Sequence, residues 1–550
     1  MGVMEKIREI LTEIIKRIFE AEIEVEVSTP PELENTGEFR ADVATNVAMK
    51  LAGVLSKRTG KKQNPRSVAE TLKEEFLKAC DGELAGTKVE AAGPGFLNFM
   101  LPDAYFYGVL TEMAGDFQKN ISCDEYSGKT VVTEFSDPNP FKVLHIGHLY
   151  TSIVGEAISR LIEFAGGEVH RVNFGGDVGL HVAKTLYALD FDREFTIEDI
   201  AAAYVEGTRL YEEDEGARAE IVKLNKQIYE LVERDEHEGE LAEAYWRGRE
   251  LSYRYFDEFY ARIGVKFEKY YPESTVARRG LETVRAHVPE VYQESDGAVV
   301  FPGEEYGLHT RVFINKEGLP TYEAKDVGLI FQKDEDYHFD ESVVITGNDI
   351  IDYMKVVLKS VEQYAPELVT KTRHITHGNV RLPGNEKMSS RKGNFVKAVD
   401  VLEQAPLDAI KYSFLKYKIG GNIEFDAKES VSLAGNSGPY LQYSAVRAKK
   451  ILKNVKKIDK DEIKLNKFEI NLLKKFVLYP RVLTEAVREM APHVVCTYLF
   501  ELAQEFSRFY ENCQVAGDPR EAERGMMVRV FYQIMEHGLG LLGIEIPEEM

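Results

Sequence analysis

The chain has 550 residues, 44% of them hydrophobic and 29% charged, with 69 Lys/Arg against 92 Asp/Glu for a net charge of −23. That length allows three or four domains, and the composition excludes extensive disorder. No apolar run reaches the roughly 18 residues of a membrane span. An acidic chain is also not one coated in positive charge for nucleic acid.

The first 22 residues are charged throughout and hold no signal-peptide core, so a cytoplasmic protein is expected. Ile7, Ile10, Leu11, Ile14, Ile15 and Ile18 instead mark one face of an amphipathic helix. The cysteines Cys80, Cys123, Cys496 and Cys513 are scattered, which offers neither a disulfide framework nor a thiolate zinc site. Residues 89–101 read as two short apolar strands about the turn Gly93-Pro94-Gly95. Residues 130–135 predict a buried strand. The loop SDPNPFKVL follows, then a helix over about 147–165 with Leu149, Ile153, Val154, Ala157, Ile158, Leu161 and Ile162 on one face. Another strand over 168–174 completes the start of a parallel α/β unit. From about 190 to 290 the pattern is helical and charged, reading as an insertion. Strand signals return at 298–302, 311–315, 342–346 and 374–380, and beyond 430 the pattern is helical.

Charge is unevenly spread. Lys50, Lys57, Arg58, Lys61, Lys62 and Arg66 form one basic island, and 447–475 holds eleven Lys/Arg against four acids. Separated basic islands on an acidic body suit a large polyanion, although solvated helix faces would look the same.

Two constellations carry chemistry. In EFSDPNPFKVLHIGHLY, His145 and His148 flank Gly147 where a loop meets a helix N-terminus. Such a start presents unpaired N–H groups to an anion, and Gly147 lets a phosphate approach the backbone. Half of a metal site and two core histidines are the plainer alternatives; no further ligand is suggested by spacing. In GNEKMSSRKGN, Lys387, Arg391 and Lys392 stand with Ser389 and Ser390 between Gly384 and Gly393. Cations and hydroxyls between glycine hinges describe a loop that folds onto polyphosphate.

HIGH followed by KMSSRKGN, with Lys142 three residues ahead of His145, resembles the paired signatures of the class I arginyl-tRNA synthetases. VEAAGPGFLNF, NSGPYLQYSAVRAKKIL and GLGLLGIEIPEEM extend the resemblance over nearly the whole chain. The fold it implies is α/β. A Rossmann-like parallel-sheet catalytic domain spans 123–430, with the helical insertion at about 190–290. An N-terminal α+β domain (1–122) precedes it and a C-terminal helical bundle (431–550) binds the anticodon. The implied activity is attachment of L-arginine to its tRNA through arginyl-adenylate, by a monomer using ATP with Mg²⁺ and no structural zinc.

The site residues follow from the same resemblance. Pro138, Asn139, His145, Gly147, His148, Lys387, Met388, Ser389, Arg391 and Lys392 would bind ATP. His145 and His148 would serve the α-phosphate and ribose side. Lys142, Lys387 and Lys392 would act on the β- and γ-phosphates, with Ser389 and Ser390 as loop donors. A guanidinium offers five donors in a planar fork and stays charged, so its pocket needs carboxylates. The resemblance implies Glu134 and Asp326 for that contact, with Asn139 and Tyr322 orienting the substrate. Tyr322 and Asp326 are spaced i, i+4 and share a helix face. Tyr440, Tyr443, Arg447, Lys449 and Lys450 are candidates for tRNA; singly, the two tyrosines read equally well as bundle core.

Three departures stand out. Val143 occupies a position where the family usually has proline, and Arg40-Ala41 replace a frequent His-Gly pair. Asn348 and Asp349 replace the usual glutamine or histidine, leaving the third amino-acid contact open. Another class I synthetase, a catalytically silent tRNA-binding paralogue and a plain nucleotidylyltransferase are the competing readings.

Overall fold

The computed structural model describes residues 3–28, 41–191, 193–381, 383, 396–455 and 464–550. Arg40, Lys387, Met388, Ser389, Ser390, Arg391, Lys392 and the stretch 456–463 of the second basic island lie outside the described residues. The described chain divides into two units, Met1–Asn120 with Ala448–Tyr479 and Leu502–Gln533, and Ile121–Arg447 with Pro480–Glu501 and Ile534–Met550.

In the second unit, runs of β-branched residues buried on both faces form a parallel sheet, as such runs do when helices cover both sides. Its strands are β1 (Thr130–Glu134), β2 (Glu168–Gly175), β3 (Lys269–Pro272), β4 (Glu341–Gly347) and β5 (Thr372–His377), in the order β5-β4-β1-β2-β3. All four pairings are parallel. Chain order reverses at β1, so the ligand crevice of an open α/β sheet falls at the carboxyl ends of β1 and β4. Glu134 ends β1 and Gly347 ends β4, on neighbouring strands.

The helix α1 (Ile146–Phe164) links β1 to β2, and all seven apolar residues assigned to its face are buried. The helices α2 (Ile197–Glu213), α3 (Glu240–Ile263) and Glu215–Glu233 build the insertion around a core containing Ile200, Ile221, Ile228 and Tyr245. The helical reading of about 190–290 is corrected at 269–272. KYYP at 269–272 is an edge strand of the main sheet, and α4 (Glu273–Ala286) packs on α5 (Tyr322–Tyr337). A lysine, two tyrosines and a proline give no aliphatic alternation, and an edge position needs none. The strand signals at 298–302 and 311–315 fall on a separate antiparallel sheet of Gln293–Ser295, Ala298–Phe301 and Arg311–Ile314. The helix α6 (Ile351–Glu362) follows β4.

In the first unit, helix Val3–Phe19 buries Ile7, Leu11, Ile14 and Ile15, while Ile18 is exposed. Strands Lys88–Ala92 and Phe96–Met100 pair antiparallel about the Gly93-Pro94-Gly95 turn, and Val43–Thr45 joins the second of them. In the helix Lys467–Arg488, Glu469 accepts from Arg520 and Arg524 at 2.9 and 2.8 Å. Phe506 stacks on Phe531. The C-terminal chain is helical throughout its long elements, Gly438–Leu452, Lys467–Arg488, Pro492–Asn512 and Glu521–Leu541. No helix among the described residues is long and apolar enough to cross a membrane.

Candidate active site

The loop after β1 holds Ser136, Asp137 and Phe141 at φ of 76°, 48° and 64°. Non-glycine residues adopt such angles only where their surroundings over-determine them. The Ser136 hydroxyl pairs with the Tyr260 hydroxyl at 2.7 Å and accepts from Ser152 at 2.9 Å. Asp137 accepts the Phe174 N–H at 2.9 Å, and the Phe141 N–H donates to Ser252 at 3.0 Å. Elements α1, α3 and β2 thus share the work of fixing one loop. Asn139 Oδ1 accepts the Gly176 N–H at 2.7 Å; a Cβ at Gly176 would lie 2.7 Å from that oxygen and 2.9 Å from Glu273. A side chain at 176 would have to displace the Asn139 amide or the Glu273 carboxylate.

His145 is the N-cap of α1 and, with His148, closes the first turn. The Gly147 N–H donates to His145 Nδ1 at 3.1 Å, and the His145 N–H donates to His148 Nδ1 at 3.1 Å. The ring centroids are 3.8 Å apart. Each Nδ1 accepts a backbone proton, so in the neutral ring the remaining proton sits on Nε2. Burial and the nearby Lys142 push the His145 pKa down to about 4, and burial pushes His148 well below its usual value. Both imidazoles are therefore neutral at pH 7. They line a hollow of about 200 Å³ with Pro138, Asn139, Lys142 and Val143, closed from α2 by Ala201, Tyr204 and Val205. The Lys142 ammonium lies 4.8 Å from the Tyr204 ring centroid.

Residues just after the second signature return to the first. The Ile146 N–H donates to the Val396 carbonyl and the Ala398 N–H to the Leu144 carbonyl, each at 3.0 Å, with Lys397 paired antiparallel to His145. Behind α1, the Thr151 hydroxyl donates to the Gly147 carbonyl at 2.9 Å and pairs with His377 Nε2 at 2.6 Å.

The carboxylates assigned to the guanidinium form a second cluster. Glu134 is buried and ion-paired to buried Lys333, whose ammonium also donates to Ser342 at 3.0 Å. Asp326 accepts from the Tyr353 hydroxyl of α6. Burial, and then the Glu134 charge, raise the Asp326 pKa to about 8 against the Tyr353 bond. Asp137 is raised well above its usual value by burial and by Glu134. Glu134, Asp137 and Asp326 therefore share one field.

The structure brings Asn139, Lys142, His145 and His148 together around the hollow, and Glu134 with Asp326 in the acid cluster. Neither carboxylate lines the hollow. Tyr322 stands at the start of α5, 53% exposed, with the Lys325 ammonium 5.3 Å from its ring centroid. Asn348 donates to the Gly420 carbonyl at 2.9 Å, while the Asp349 charge acts on His145 and His377. Tyr440 packs against Phe500, while Tyr443 and Lys450 are exposed and Arg447 and Lys449 half-buried. Sequence reasoning missed Asp137, Lys333, Tyr353 and Tyr204. Lys333 lies seven residues beyond Asp326, two helical turns along the same face, which is the one signal available.

Residues 114–418, more than half of the chain, match the family described as tRNA synthetases class I (R), catalytic domain. Residues 5–101 match the arginyl tRNA synthetase N-terminal domain, and 441–550 the DALR anticodon binding domain. The chain belongs to the class I tRNA synthetases. Within that class it falls in the arginine family, whose activity is ATP-dependent attachment of arginine to tRNA. The arginine–tRNA ligase of Clostridium perfringens is 28% identical, the match covering 84% of this chain and 88% of that one. That of Fusobacterium nucleatum is 27% identical over 96% and 95%. The fold matches the arginyl-tRNA synthetase of Thermus thermophilus over all of both chains, with a TM-score of 0.74 at 23% identity. The Plasmodium falciparum arginyl-tRNA synthetase gives 0.77 at 19%. The readings as another class I synthetase or a plain nucleotidylyltransferase fall with the family match.

Proposed function

We propose that this chain joins arginine to ATP as arginyl-adenylate and passes the arginyl group to the terminal adenosine of tRNA, acting in the cytoplasm as a monomer. The observation that carries the reading is the pair of imidazoles whose Nδ1 atoms are taken by backbone N–H groups, leaving two neutral Nε2 donors at a helix N-terminus. The arginine α-carboxyl, ionised above a pKa of roughly 3.5, attacks the α-phosphorus without a general base, and the α–β phosphoanhydride bond breaks to release pyrophosphate. Catalysis is then orientation and charge stabilisation. His145 and His148 serve the α-phosphate and ribose side. Lys142 serves the β- and γ-phosphates with Lys387 and Lys392, with Ser389 and Ser390 as further donors; the antiparallel pairing of Lys397 with His145 supports this. Mg²⁺ arrives with ATP as part of that substrate, and the imidazole, amide and ammonium donors of the hollow suit phosphate oxygens.

Glu134 and Asp326 take the guanidinium, with Asn139 and Tyr322 orienting the rest of the amino acid. The domain division at 1–122, 123–430 and 431–550 is part of this reading, as are Tyr440, Tyr443, Arg447, Lys449 and Lys450 as tRNA contacts. ATP–pyrophosphate exchange across the amino acids, with and without tRNA, tests it. Arginine alone should support exchange, and Glu134→Gln and Asp326→Asn should raise the arginine KM. Exchange driven by another amino acid, or an arginine KM unchanged in both variants, overturns the assignment. Sedimentation of the free chain tests the monomer.

A further inference from the structure

Lys333 is 1% exposed, on a helix whose Val327, Leu329 and Ile330 belong to a buried apolar cluster. An ammonium there loses its hydration, and an aliphatic residue of similar volume would pack at lower cost. Its two bonds account for its place there. One goes to Glu134 Oε2 and one to the Ser342 hydroxyl. Among the described residues, no hydrogen bond reaches the other Glu134 oxygen, Oε1. Asp326 shows the same pattern, with Tyr353 on Oδ2. Two carboxylates each have one oxygen pinned by the protein and one left to accept.

We propose that Lys333 is the positioning residue of the arginine site, holding the Glu134 carboxylate by Oε2 and presenting its Oε1 edge to the guanidinium. The inference rests on the reading that Glu134 contacts arginine. It also bears on specificity. Oε2 already accepts from Lys333, so the acceptors left without a protein donor are Glu134 Oε1 and Asp326 Oδ1, and the guanidinium takes both. A planar cation with five donors makes that bridge, whereas the compact ammonium of lysine would sit beside Lys333 on one carboxylate.

Without Lys333, Glu134 would face mostly like charge. Asp137 lies on its own loop and Asp326 on α5, with Glu273 of α4 and Tyr353 of α6 beyond Asp326; His374 of β5 is the remaining titratable neighbour. A carboxyl so placed takes up a proton. Arginine would then have to displace that proton as well as the one on Asp326.

The test is arginine affinity of the full chain by calorimetry from pH 6.0 to 8.5, for wild type, Lys333→Met, Lys333→Arg and Glu134→Gln, with steady-state kinetics alongside. Lys333→Met should weaken arginine about 30-fold or more at pH 7, as removal of one partner of a buried charge pair does. Its pH dependence should steepen by one proton, the arginine KM should rise, and the ATP KM should hold. Lys333→Arg should restore affinity and slope. Affinity and slope unchanged in Lys333→Met, with Glu134→Gln weakened, overturns the Lys333 role and leaves the Glu134 reading standing. Unchanged binding in Glu134→Gln overturns both. If Lys333→Met does not fold, Lys333→Met/Glu134→Gln is compared with Glu134→Gln alone. Equal affinities support the proposal, and a further loss in the double variant overturns it.

Discussion

The Lys325 ammonium lies 2.6 Å from Glu273 Oε2, with both side chains at most 5% exposed. This pair joins the first residue of α4 to α5, and Glu273 also stands against Gly176, whose N–H holds Asn139. It therefore connects the helix carrying Asp326 to the loop beside the α1 imidazoles. Breaking a buried pair leaves one charge uncompensated, so Lys325→Met should cost about 3–5 kcal/mol. Lys325→Met/Glu273→Met should recover most of that loss. Urea midpoints of the three chains measure it, and a double variant no more stable than Lys325→Met shows that the pair is not the source.

The imidazole pair makes a pH prediction. With the His145 pKa near 4 and that of His148 pushed well below its usual value by burial, neither ring gains a proton between pH 6 and 8. Adenylate formation at saturating arginine should show no acid limb from these groups above about pH 5, one unit above the His145 value. His148→Ala removes one donor and the acceptor for the His145 N–H, and should slow adenylate formation by about 10²–10³. Single-turnover exchange measures both. A histidine-like limb near pH 6.5 that disappears in His148→Ala contradicts the neutral-donor assignment.

Arginine binding should strengthen with pH through the neutral range, where a site built on ordinary carboxylates is already fully ionised. The Asp326 pKa of about 8 means that at pH 7 this acid is mostly protonated in the free chain, whereas the guanidinium favours the carboxylate. Each unit of pH gained below 8 should tighten arginine by up to about tenfold, levelling above 8, since one proton is released per arginine bound. Asp326→Asn should bind weakly and lose this dependence. Proton release, read from calorimetry in two buffers of different ionisation heat, is the direct measure.

The cluster around the hollow was legible in the sequence because it is local. His145, Gly147, His148 and Lys142 fall within seven residues, and the apolar periodicity that follows predicts the helix whose N-terminus positions them. The strand predicted over 130–135 forms as Thr130–Glu134, with Glu134 at its end. The remainder of the site depends on long-range partners. Lys333 lies in FQKDEDY, which reads as a solvated helix face. It becomes a buried counter-ion because Glu134, 199 residues away, is brought beside it. Strand β3 was hidden for a related reason, since an edge strand with one neighbour carries Lys269 outward to Asp336 at 2.6 Å rather than an aliphatic pattern. Tyr204 reaches the hollow from an insertion helix whose charged surroundings gave no sign of a ligand.

Gly147 separates the fold from the chemistry. A methyl there would stand 2.8 Å from His145 Cε1 and 2.9 Å from Nδ1, so Gly147→Ala must push the His145 ring off its bond to the residue-147 N–H. Alanine is the better helix former by about 1 kcal/mol, so α1 itself gains rather than suffers. The variant should therefore fold with an unchanged or slightly higher melting temperature while adenylate formation falls about 10²-fold, the scale of an approximately 1 Å misplacement of a reacting or stabilising group. Thermal scans and exchange assays on the same preparation separate the two effects. A loss below about tenfold would mean that the Nε2 of His145 need not be aimed by its Nδ1 bond, and that the helix N-terminus alone supplies the stabilisation.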